Sequence, residues 1–204
     1  MVVLSFPQCD RCGHPGIRLP CPWCPLLPPY VRAVRSFSWM HRGTGQSIVH
    51  ALKYARWHAV APDIANRMGR LGWPPDVVEE RVAVIPVPLA DARLRDRGFN
   101  QSERLARALG PRWRVPVWTD VLERSRATET QTRLTPAERL ANVSGAFRVR
   151  AIARQRLSNN HVVLVDDVVT TAATLNACAA ALVAGGARIV SYVTFGRAPA
   201  AGDC

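Results

Sequence analysis

The sequence predicts an α/β fold with a parallel sheet, and three consecutive segments near its C-terminal end carry that prediction. Residues 161–166 are a nearly continuous run of Val and Leu after an initial His, which is typical of a strand buried on both faces. A helix rich in Ala is predicted over 171–184, because Gly185 and Gly186 follow it directly. The apolar segment 187–195 predicts the next strand. Such a unit has a right-handed crossover and brings its functional ends to one edge of a sheet.

Earlier segments add helices and a further strand to this unit. Apolar side chains recur at helical spacing over residues 45–71, which predicts two helices interrupted near Pro62. The segment VAVIPVP, residues 82–88, predicts a short strand that its prolines end. Asn100 and Glu103 have the spacing of a capping box, so a helix is expected to follow Asn100.

The polar segment VLERSRATETQTRL, residues 121–134, is rich in Arg and Thr. It is too long for an ordinary connection, so we expect a functional loop. A second cap at Thr135-Pro136 predicts that a helix begins directly after it.

The composition is that of a globular chain. Of the 204 residues, 48% are apolar and 21% are charged, which is enough to bury one main core and excludes a disordered chain. No stretch approaches the roughly 20 consecutive apolar residues that a membrane span needs. The N-terminus lacks the basic start and long apolar run of a signal peptide. We therefore expect a cytoplasmic location, where thiols stay reduced, and no membrane span.

The positive charge of the chain indicates a ligand that carries phosphate. A formal net charge of +12 favours either a small phosphorylated anion or nucleic acid and does not choose between them. Lys53 is the only lysine, and the other permanently charged basic side chains are all arginines. That single ammonium is either a compact charge required at its position or a chance survivor, and the sequence leaves both interpretations open.

Two Cys-x-x-Cys pairs near the N-terminus predict a metal site. The four residues are Cys9, Cys12, Cys21 and Cys24. Two such turns supply the four thiolates that a tetrahedral Zn²⁺ binds, and the segment around them is too short and too rich in Pro to form its own core. We therefore predict a zinc-binding region at residues 1–40 and a main domain at 41–204. A redox pair or disulfides is the alternative interpretation.

Two adjacent carboxylates, Asp166 and Asp167, come at the predicted strand end and are followed by a run rich in Thr. Carboxylates accept hydrogen bonds from vicinal hydroxyls such as those of a ribose, and the amides at a helix N-terminus suit a phosphate. A haloacid-dehalogenase-like phosphatase requires Asp-x-Asp, and a receiver domain carries its acidic pair near its first strand, so both fit poorly. Two aspartates that only cap a helix remain the alternative.

The segment VVLVDDVVTTAATL, residues 162–175, closely resembles the signature by which type I phosphoribosyltransferases bind 5-phosphoribosyl-1-pyrophosphate (PRPP). The double Cys-x-x-Cys, LKY at 52–54, IPVPL before RLRDRGFNQSERLA, and R-x-R-x-T-x-x-x-Q before AERLANVSGAF extend the likeness along the whole chain to the ComF family of competence proteins. The resemblance implies a zinc-binding N-terminal region and a type I phosphoribosyltransferase-like parallel sheet flanked by helices. It also implies a role in handling single-stranded DNA during natural transformation, with competence or DNA-processing proteins as partners.

The resemblance also assigns residues to the ligand. Asp166 and Asp167 would hold the ribose 2′ and 3′ hydroxyls. The residues around the 5-phosphate would be Thr170, Thr171, Ala172, Ala173 and Thr174. The residues facing the pyrophosphate would be Arg97, Gly98, Asn100 and Gln101. On a hood that closes over the ligand would lie Arg124, Arg126, Thr128 and Gln131, and the catalytic candidates are Asp166, Asp167, Arg124 and Arg126. A Mg²⁺ ion would bridge pyrophosphate and ribose oxygens.

One residue departs from the family pattern. The usual motif reads T-T-G-A-T, and here Ala172 stands in place of its glycine. If the backbone φ is positive at this position, alanine costs about 1 kcal/mol or more in strain. Such a strain would weaken the PRPP loop or leave the fold with binding alone.

Two functions are therefore expected from different classes. The first is a PRPP-binding protein of DNA uptake whose basic surface binds single-stranded DNA, because fifteen arginines fall between residues 93 and 156 together with Trp113 and Trp118. The alternative interpretation is a solvated basic face with the two tryptophans in the core. The second function is an active, Mg²⁺-dependent phosphoribosyltransferase of nucleotide or nucleoside metabolism with an unknown acceptor.

Overall fold

A computed structural model of the chain describes residues 1–16, 20–40, 43–54, 60–125, 143 and 145–199. Its strands are β1 (Val31–Trp39), β2 (Arg81–Pro86), β3 (Leu122–Arg124), β4 (Phe147–Val149), β5 (His161–Val169) and β6 (Ile189–Arg197). Four of them form one fully parallel sheet in the order β1-β6-β5-β2. Strands β3 and β4 form a separate antiparallel pair. The predicted parallel α/β fold is confirmed.

The described residues contain seven α-helices. They are α1 (Thr44–Tyr54), α2 (Ala61–Gly69), α3 (Pro75–Glu80), α4 (Asp91–Arg97), α5 (Gln101–Trp113), α6 (Arg154–Leu157) and α7 (Ala173–Ala184). Short 3-10 turns occur at Cys24–Leu26 and Ala151–Ala153. Residues 45–71 contain two helices, as predicted, and Pro62 lies in the first turn of α2, where its missing N–H interrupts no helical bond. None of these helices is long and apolar enough to cross a membrane.

The sheet separates two apolar cores, and alternate residues of β5 serve each of them. Val162 and Leu164 face the core that also holds the apolar side of α7, whereas Val163 and Val165 face α2 and α5. All four are fully buried. This explains why the strand reads as a continuous apolar run, since neither of its faces meets water.

The predicted unit of strand, helix and strand is confirmed as β5, α7 and β6, but β5 is longer than predicted. It continues to Val169, because its ladder with β6 includes the pairs of Asp166 with Thr194 and of Val169 with Arg197. The prediction that the strand ends at Asp166 was therefore wrong. The two aspartates lie inside the strand, close to its carboxyl end.

Strand β1 was not predicted, although it forms one edge of the main sheet. It falls within the predicted region 1–40 and pairs with β6, while its outer edge is covered by the N-terminal segment. The Leu4 amide donates to the Phe37 carbonyl at 3.1 Å, and the Val34 amide donates to the Arg11 carbonyl at 2.7 Å. The division into residues 1–40 and 41–204 stays a prediction.

The cap of α5 agrees with half of the predicted capping box. The Asn100 side-chain oxygen accepts from the Ser102 amide at 3.0 Å, as an N-cap should. The Glu103 carboxylate accepts from Arg107 at 2.8 Å, one helical turn further on, and so points away from Asn100. The helix predicted to begin at Thr135-Pro136 lies outside the described residues.

Candidate functional site

A cavity of about 460 Å³ opens where β2, β5 and β6 end, at the carboxyl edge of the sheet. Its wall contains nine of the residues assigned to a ligand by resemblance, which are Arg97, Gln101, Arg124, Asp166, Asp167, Thr170, Ala172, Ala173 and Thr174. Lys53, Arg93 and Ser102 line it as well. The volume is in the range of small-molecule sites, and several basic side chains share the wall with two carboxylates.

Three other assigned residues lie beside the cavity and not in its wall. Gly98 ends α4 with a φ of 75°, a left-handed conformation that suits glycine. Asn100 caps α5, and its side-chain amide donates to the Val87 carbonyl at 3.0 Å, so both residues shape the loop that follows β2. Thr171 is partly exposed. Outside the described residues lie Arg126, Thr128 and Gln131.

Both aspartates line the cavity, but their carboxylates bind different neighbours. The Ser102 hydroxyl donates to Asp166 Oδ1 at 2.7 Å, and the Asp167 amide donates to the same oxygen at 2.9 Å. Asp167 Oδ1 accepts from Gln101 Nε2 at 3.3 Å, and its Oδ2 lies 2.5 Å from Lys53 Nζ. Because β5 continues past both residues, their side chains alternate across the sheet.

The two carboxyl groups differ in their affinity for a proton. Loss of hydration and the neighbouring charge of Asp167 raise the pKa of Asp166 to about 8. Burial also works to raise the pKa of Asp167, but the charge of Lys53 and its hydrogen bond, with smaller contributions from Asp166 and Gln101, leave that pKa lowered. The directions of the two shifts favour ionisation of Asp167 before Asp166.

Lys53 and Ser102 are site residues that the sequence did not assign. Lys53 is distinguished as the only lysine, and it lies in the LKY segment used for the resemblance, but nothing in the sequence joins it to Asp167. Ser102 follows Gln101 in α5, so both side chains reach β5 from the first turn of one helix. The sequence signal that could have identified Ser102 was its position directly after Gln101.

Ala172 has a φ of 60° and a ψ of 5°, which is the left-handed conformation. The backbone φ is therefore positive at the position where the family pattern has glycine. The alanine methyl costs roughly 1–2 kcal/mol in strain there. Ala172 is the N-cap of α7, and its own side chain makes no capping hydrogen bond. A helix N-terminus of this kind can offer its first-turn amides to a ligand in the cavity.

The four N-terminal cysteines converge on one point. The sulfur atoms of Cys9 and Cys24 are 3.5 Å apart, as are those of Cys12 and Cys21, and all four lie within 4.8 Å of one another. A zinc ion with bonds of about 2.3 Å to each sulfur requires separations of roughly 3.8 Å, so the cluster has the size of a tetrahedral thiolate site. No disulfide joins these four cysteines in the structure.

Backbone amides support this metal site. Burial works to raise the pKa of Cys9, but hydrogen bonds from the backbone of Cys12 and Arg11, with smaller contributions from neighbouring thiols, lower it to about 7. Amides that face a sulfur favour its thiolate form, which is the form that binds a metal. His14 packs against Trp23 with ring centroids 5.1 Å apart, and the four thiols complete the cluster without it.

Comparison with known proteins shows the family to which the chain belongs. The model of the phosphoribosyl transferase domain matches residues 83–202. DNA utilization protein YhgH of Escherichia coli (strain K12) is 33% identical over 193 residues, which cover 89% of this chain and 80% of that protein. Competence protein F of Haemophilus influenzae is 37% identical over 94 residues, which cover 46% of this chain and 41% of that protein. The chain belongs to the ComF family of phosphoribosyl transferase domain proteins.

In this ComF-family chain, arginines join the cysteine cluster to the parallel sheet. The guanidinium of Arg11 donates to four backbone carbonyls, which are those of Cys24, Leu27, Pro28 and Val31. Arg197, at the end of β6, donates to the Cys12 carbonyl. Cys12 itself is buried in the core that also contains the apolar residues of α7. The cluster is thus packed against the same sheet that carries the cavity.

Proposed function

We propose that this chain binds PRPP in the cavity and acts in DNA uptake during natural transformation. The observation that carries the proposal is the arrangement of one cavity wall, in which a pair of carboxylates adjoins the N-terminus of α7, where the N-cap residue is an alanine. A sugar diol and a phosphate on the same sugar require these two surfaces next to each other. PRPP carries both groups together with a second, larger anion, which suits the arginines of the wall.

The acid pair is the proposed sugar contact. Asp166 is the more exposed of the two carboxylates, whereas Asp167 is held by Lys53 and Gln101. Ribose hydroxyls donate to carboxylate oxygens, so both aspartates suit the 2′ and 3′ positions. An ionised Asp166 can accept through both oxygens, whereas protonation turns one of them into a donor, which makes binding depend on pH.

The two phosphate groups would occupy opposite ends of the cavity. The 5-phosphate would accept from the first-turn amides of α7 and from the hydroxyls of Thr170 and Thr174. The pyrophosphate would face Arg124 and Arg97, whose guanidinium donates to Gln101 at 3.0 Å. The thiol cluster is the one group of three or more potential metal ligands in the described ranges, so Mg²⁺ would be bound mainly through the ligand's own oxygens.

A structural zinc is the proposed occupant of the cysteine cluster. Zn²⁺ fits a set of four thiolates better than the hard cations, which prefer oxygen ligands. It would hold the two Cys-x-x-Cys turns against β1. Because such thiolates survive where thiols stay reduced, we propose a cytoplasmic location.

The DNA role is supported by the names of the relatives and by the basic surface. Several of the fifteen arginines have acidic partners, because Arg107 pairs with Glu103, and Arg156 with Asp120. Glu123 accepts from both Arg148 and Arg150. The remaining charge still favours single-stranded DNA through its phosphates, and we propose competence or DNA-processing proteins as further partners.

Base stacking contributes less to this proposal than the charge does. Trp113 is half-buried, and the Arg81 guanidinium lies 4.3 Å from its ring centroid. Trp118 is also half-buried, with Arg156 5.5 Å from its ring. Each ring packs against the margin of a core, and cations of the protein itself cover part of it. The two tryptophans are thus neither fully buried nor fully open to bases.

An active phosphoribosyltransferase is the second candidate function. The observation that favours it is Arg124, which lines the same cavity as both aspartates and so places a cation beside the expected leaving group. A hood carrying Arg126 and Gln131 would exclude water from an oxocarbenium-like centre during transfer.

Calorimetric titration of PRPP with Mg²⁺, with and without single-stranded DNA, tests the proposed function. We expect saturable binding of PRPP, and weaker binding of ribose 5-phosphate, which lacks the pyrophosphate. DNA should bind with an affinity that falls steeply as salt rises. Absence of PRPP binding would exclude PRPP as the ligand of the cavity. Absence of DNA binding would exclude single-stranded DNA as a partner. Release of pyrophosphate upon addition of candidate acceptors would select the transferase.

A further inference from the structure

Lys53 makes the closest polar contact to the acid pair. Its ammonium lies 2.5 Å from Asp167 Oδ2, and the two side chains are 26% and 7% exposed. The contact joins the last turn of α1 to the carboxyl-terminal half of β5. Lys53 also lines the cavity, so the pair lies at the boundary between the protein interior and the ligand space.

Each side of Asp167 meets a different element of the fold. Gln101 from α5 donates to Oδ1, Lys53 from α1 contacts Oδ2, and the neighbouring carboxyl of Asp166 lies on the same strand. The other cations in the cavity wall are Arg93, Arg97 and Arg124. Arg97 donates to the Gln101 side chain at 3.0 Å and so reaches Asp167 through that amide. In the part of the chain that the structure describes, Lys53 is the cation in direct contact with Asp167.

We propose that Lys53 is a positioning residue for the phosphoribosyl ligand, holding Asp167 charged and in one orientation so that the acid pair is ready to accept the sugar hydroxyls. This inference rests on the proposed function, because the sugar is part of the proposed ligand. Lys53 acts through Asp167 and needs no contact with the reacting atoms.

The chemistry of the side chain explains why lysine stands here in a chain that otherwise uses arginine. An ammonium is compact and makes a single close contact, whereas a guanidinium is a planar fork with five donors. Asp167 already has one oxygen bonded to Gln101, which is itself buried. A guanidinium would bring additional donors that find no acceptor beside Asp167. It would also compete with Gln101 for Asp167 Oδ1.

Loss of the ammonium changes the charge of the pair. Burial works to raise the pKa of Asp167, and the Lys53 charge is the main effect that opposes it. Without Lys53 the pair would hold its protons more tightly, and a neutral pair is a poor acceptor for a diol. The deficit should shrink as pH rises, because higher pH removes those protons.

The first experiment needs no ligand. In protein labelled with ¹³C at aspartate carboxyls, NMR titration follows Asp167 in the wild type and in Lys53→Met, which keeps the length of the side chain without its charge. We expect the Asp167 pKa to rise by at least about one pH unit in Lys53→Met. Arg93→Met, which removes another cation of the cavity wall, should leave the Asp167 titration unchanged. An unchanged titration in Lys53→Met overturns the proposal.

The second experiment measures PRPP affinity across pH, from about pH 6 to pH 9. Lys53→Met should bind roughly tenfold more weakly near neutral pH and recover much of that loss at the alkaline end. Lys53→Arg should show the wild-type pH profile with reduced affinity, whereas Arg93→Met should weaken binding equally at every pH. Equal weakening at every pH in Lys53→Met would reduce Lys53 to a general attraction and overturn the proposal. Wild-type protein that binds no PRPP refutes the proposed function, while the NMR titration decides the Lys53 contact separately.

Discussion

Asn176 Nδ2 donates a hydrogen bond to the Leu26 carbonyl at 2.9 Å, which joins α7 to the 3-10 turn that begins at Cys24. The same side chain accepts from the Tyr192 hydroxyl at 3.0 Å, and the Asn176 backbone amide donates to the Ala172 carbonyl at 2.8 Å. One residue thus touches the cysteine region, β6 and the first turn of α7.

Replacing Asn176 with Leu should lower the free energy of unfolding and weaken the link between the cysteine region and α7. The variant keeps a similar volume but leaves the Tyr192 hydroxyl and the Leu26 carbonyl without this partner, which costs about 1–3 kcal/mol. Thermal unfolding measures the loss. Asn66→Leu in α2, whose side chain accepts from Arg112 at the surface, serves as the control and should change little. An Asn176 variant as stable as the control would contradict the assigned role.

Ala172→Gly should tighten PRPP binding. Glycine adopts the left-handed conformation freely, so the change relieves strain in the loop, and the added freedom of the unfolded chain costs only about 0.4–1 kcal/mol. We expect roughly fivefold higher affinity, which corresponds to about 1 kcal/mol, with unchanged affinity for single-stranded DNA at fixed salt. Calorimetry provides the comparison.

The neighbouring residue offers a matched control for that change. Ala173 is the first residue of α7, so Ala173→Gly introduces the same flexibility without relieving a positive φ. It should destabilise the helix and leave PRPP affinity equal or lower. Equal tightening by both variants would attribute the effect to flexibility. DNA affinity that follows PRPP affinity would indicate one shared site.

PRPP affinity should rise with pH through the titration of Asp166. Its pKa of about 8 means that the free protein holds a proton there at neutral pH. The diol requires an acceptor, so the bound state favours the ionised form, and affinity should increase up to about pH 8 and level off above it. Asp166→Asn, which cannot ionise, should bind weakly with a flat profile over this range. Calorimetry in buffers of different ionisation enthalpy should detect release of the proton on binding.

Metal removal should destabilise the whole chain and not only its N-terminal region. Elemental analysis of purified protein should find about one zinc per chain. Cys12 and Leu27 are buried in the same core as residues of α7, so a chelator that extracts the metal should lower the main thermal transition. A chelated protein with an unchanged transition would contradict this coupling.

The sequence predicted the unit around the cavity because its signals are local. The Val and Leu run of β5 and the two glycines after α7 define their elements without reference to the rest of the chain. The sequence could also indicate a positive φ at Ala172, because the family motif has glycine at that position. Local patterns therefore located the edge of the sheet where the ligand is expected.

The rest of the site depends on contacts that no local pattern records. Lys53 meets Asp167 from a distant part of the chain. The two aspartates alternate because β5 extends past both of them to Val169, as its ladder with β6 shows. Strand β1 escaped prediction because Arg32 and Arg35 interrupt its apolar residues. Arg35 is nevertheless buried, since its guanidinium donates to backbone carbonyls, including that of Gly72 at 2.7 Å.

The covered edge of β1 has a consequence for self-association. Val2 and Leu4 bond the outer edge of this strand, and Arg11 continues that cover beside the first cysteine turn. An uncovered strand edge is a template for pairing with another copy. A metal bound by the four cysteines would hold Arg11 in this cover, and loss of that metal would favour exposure of this part of the strand edge to a second copy.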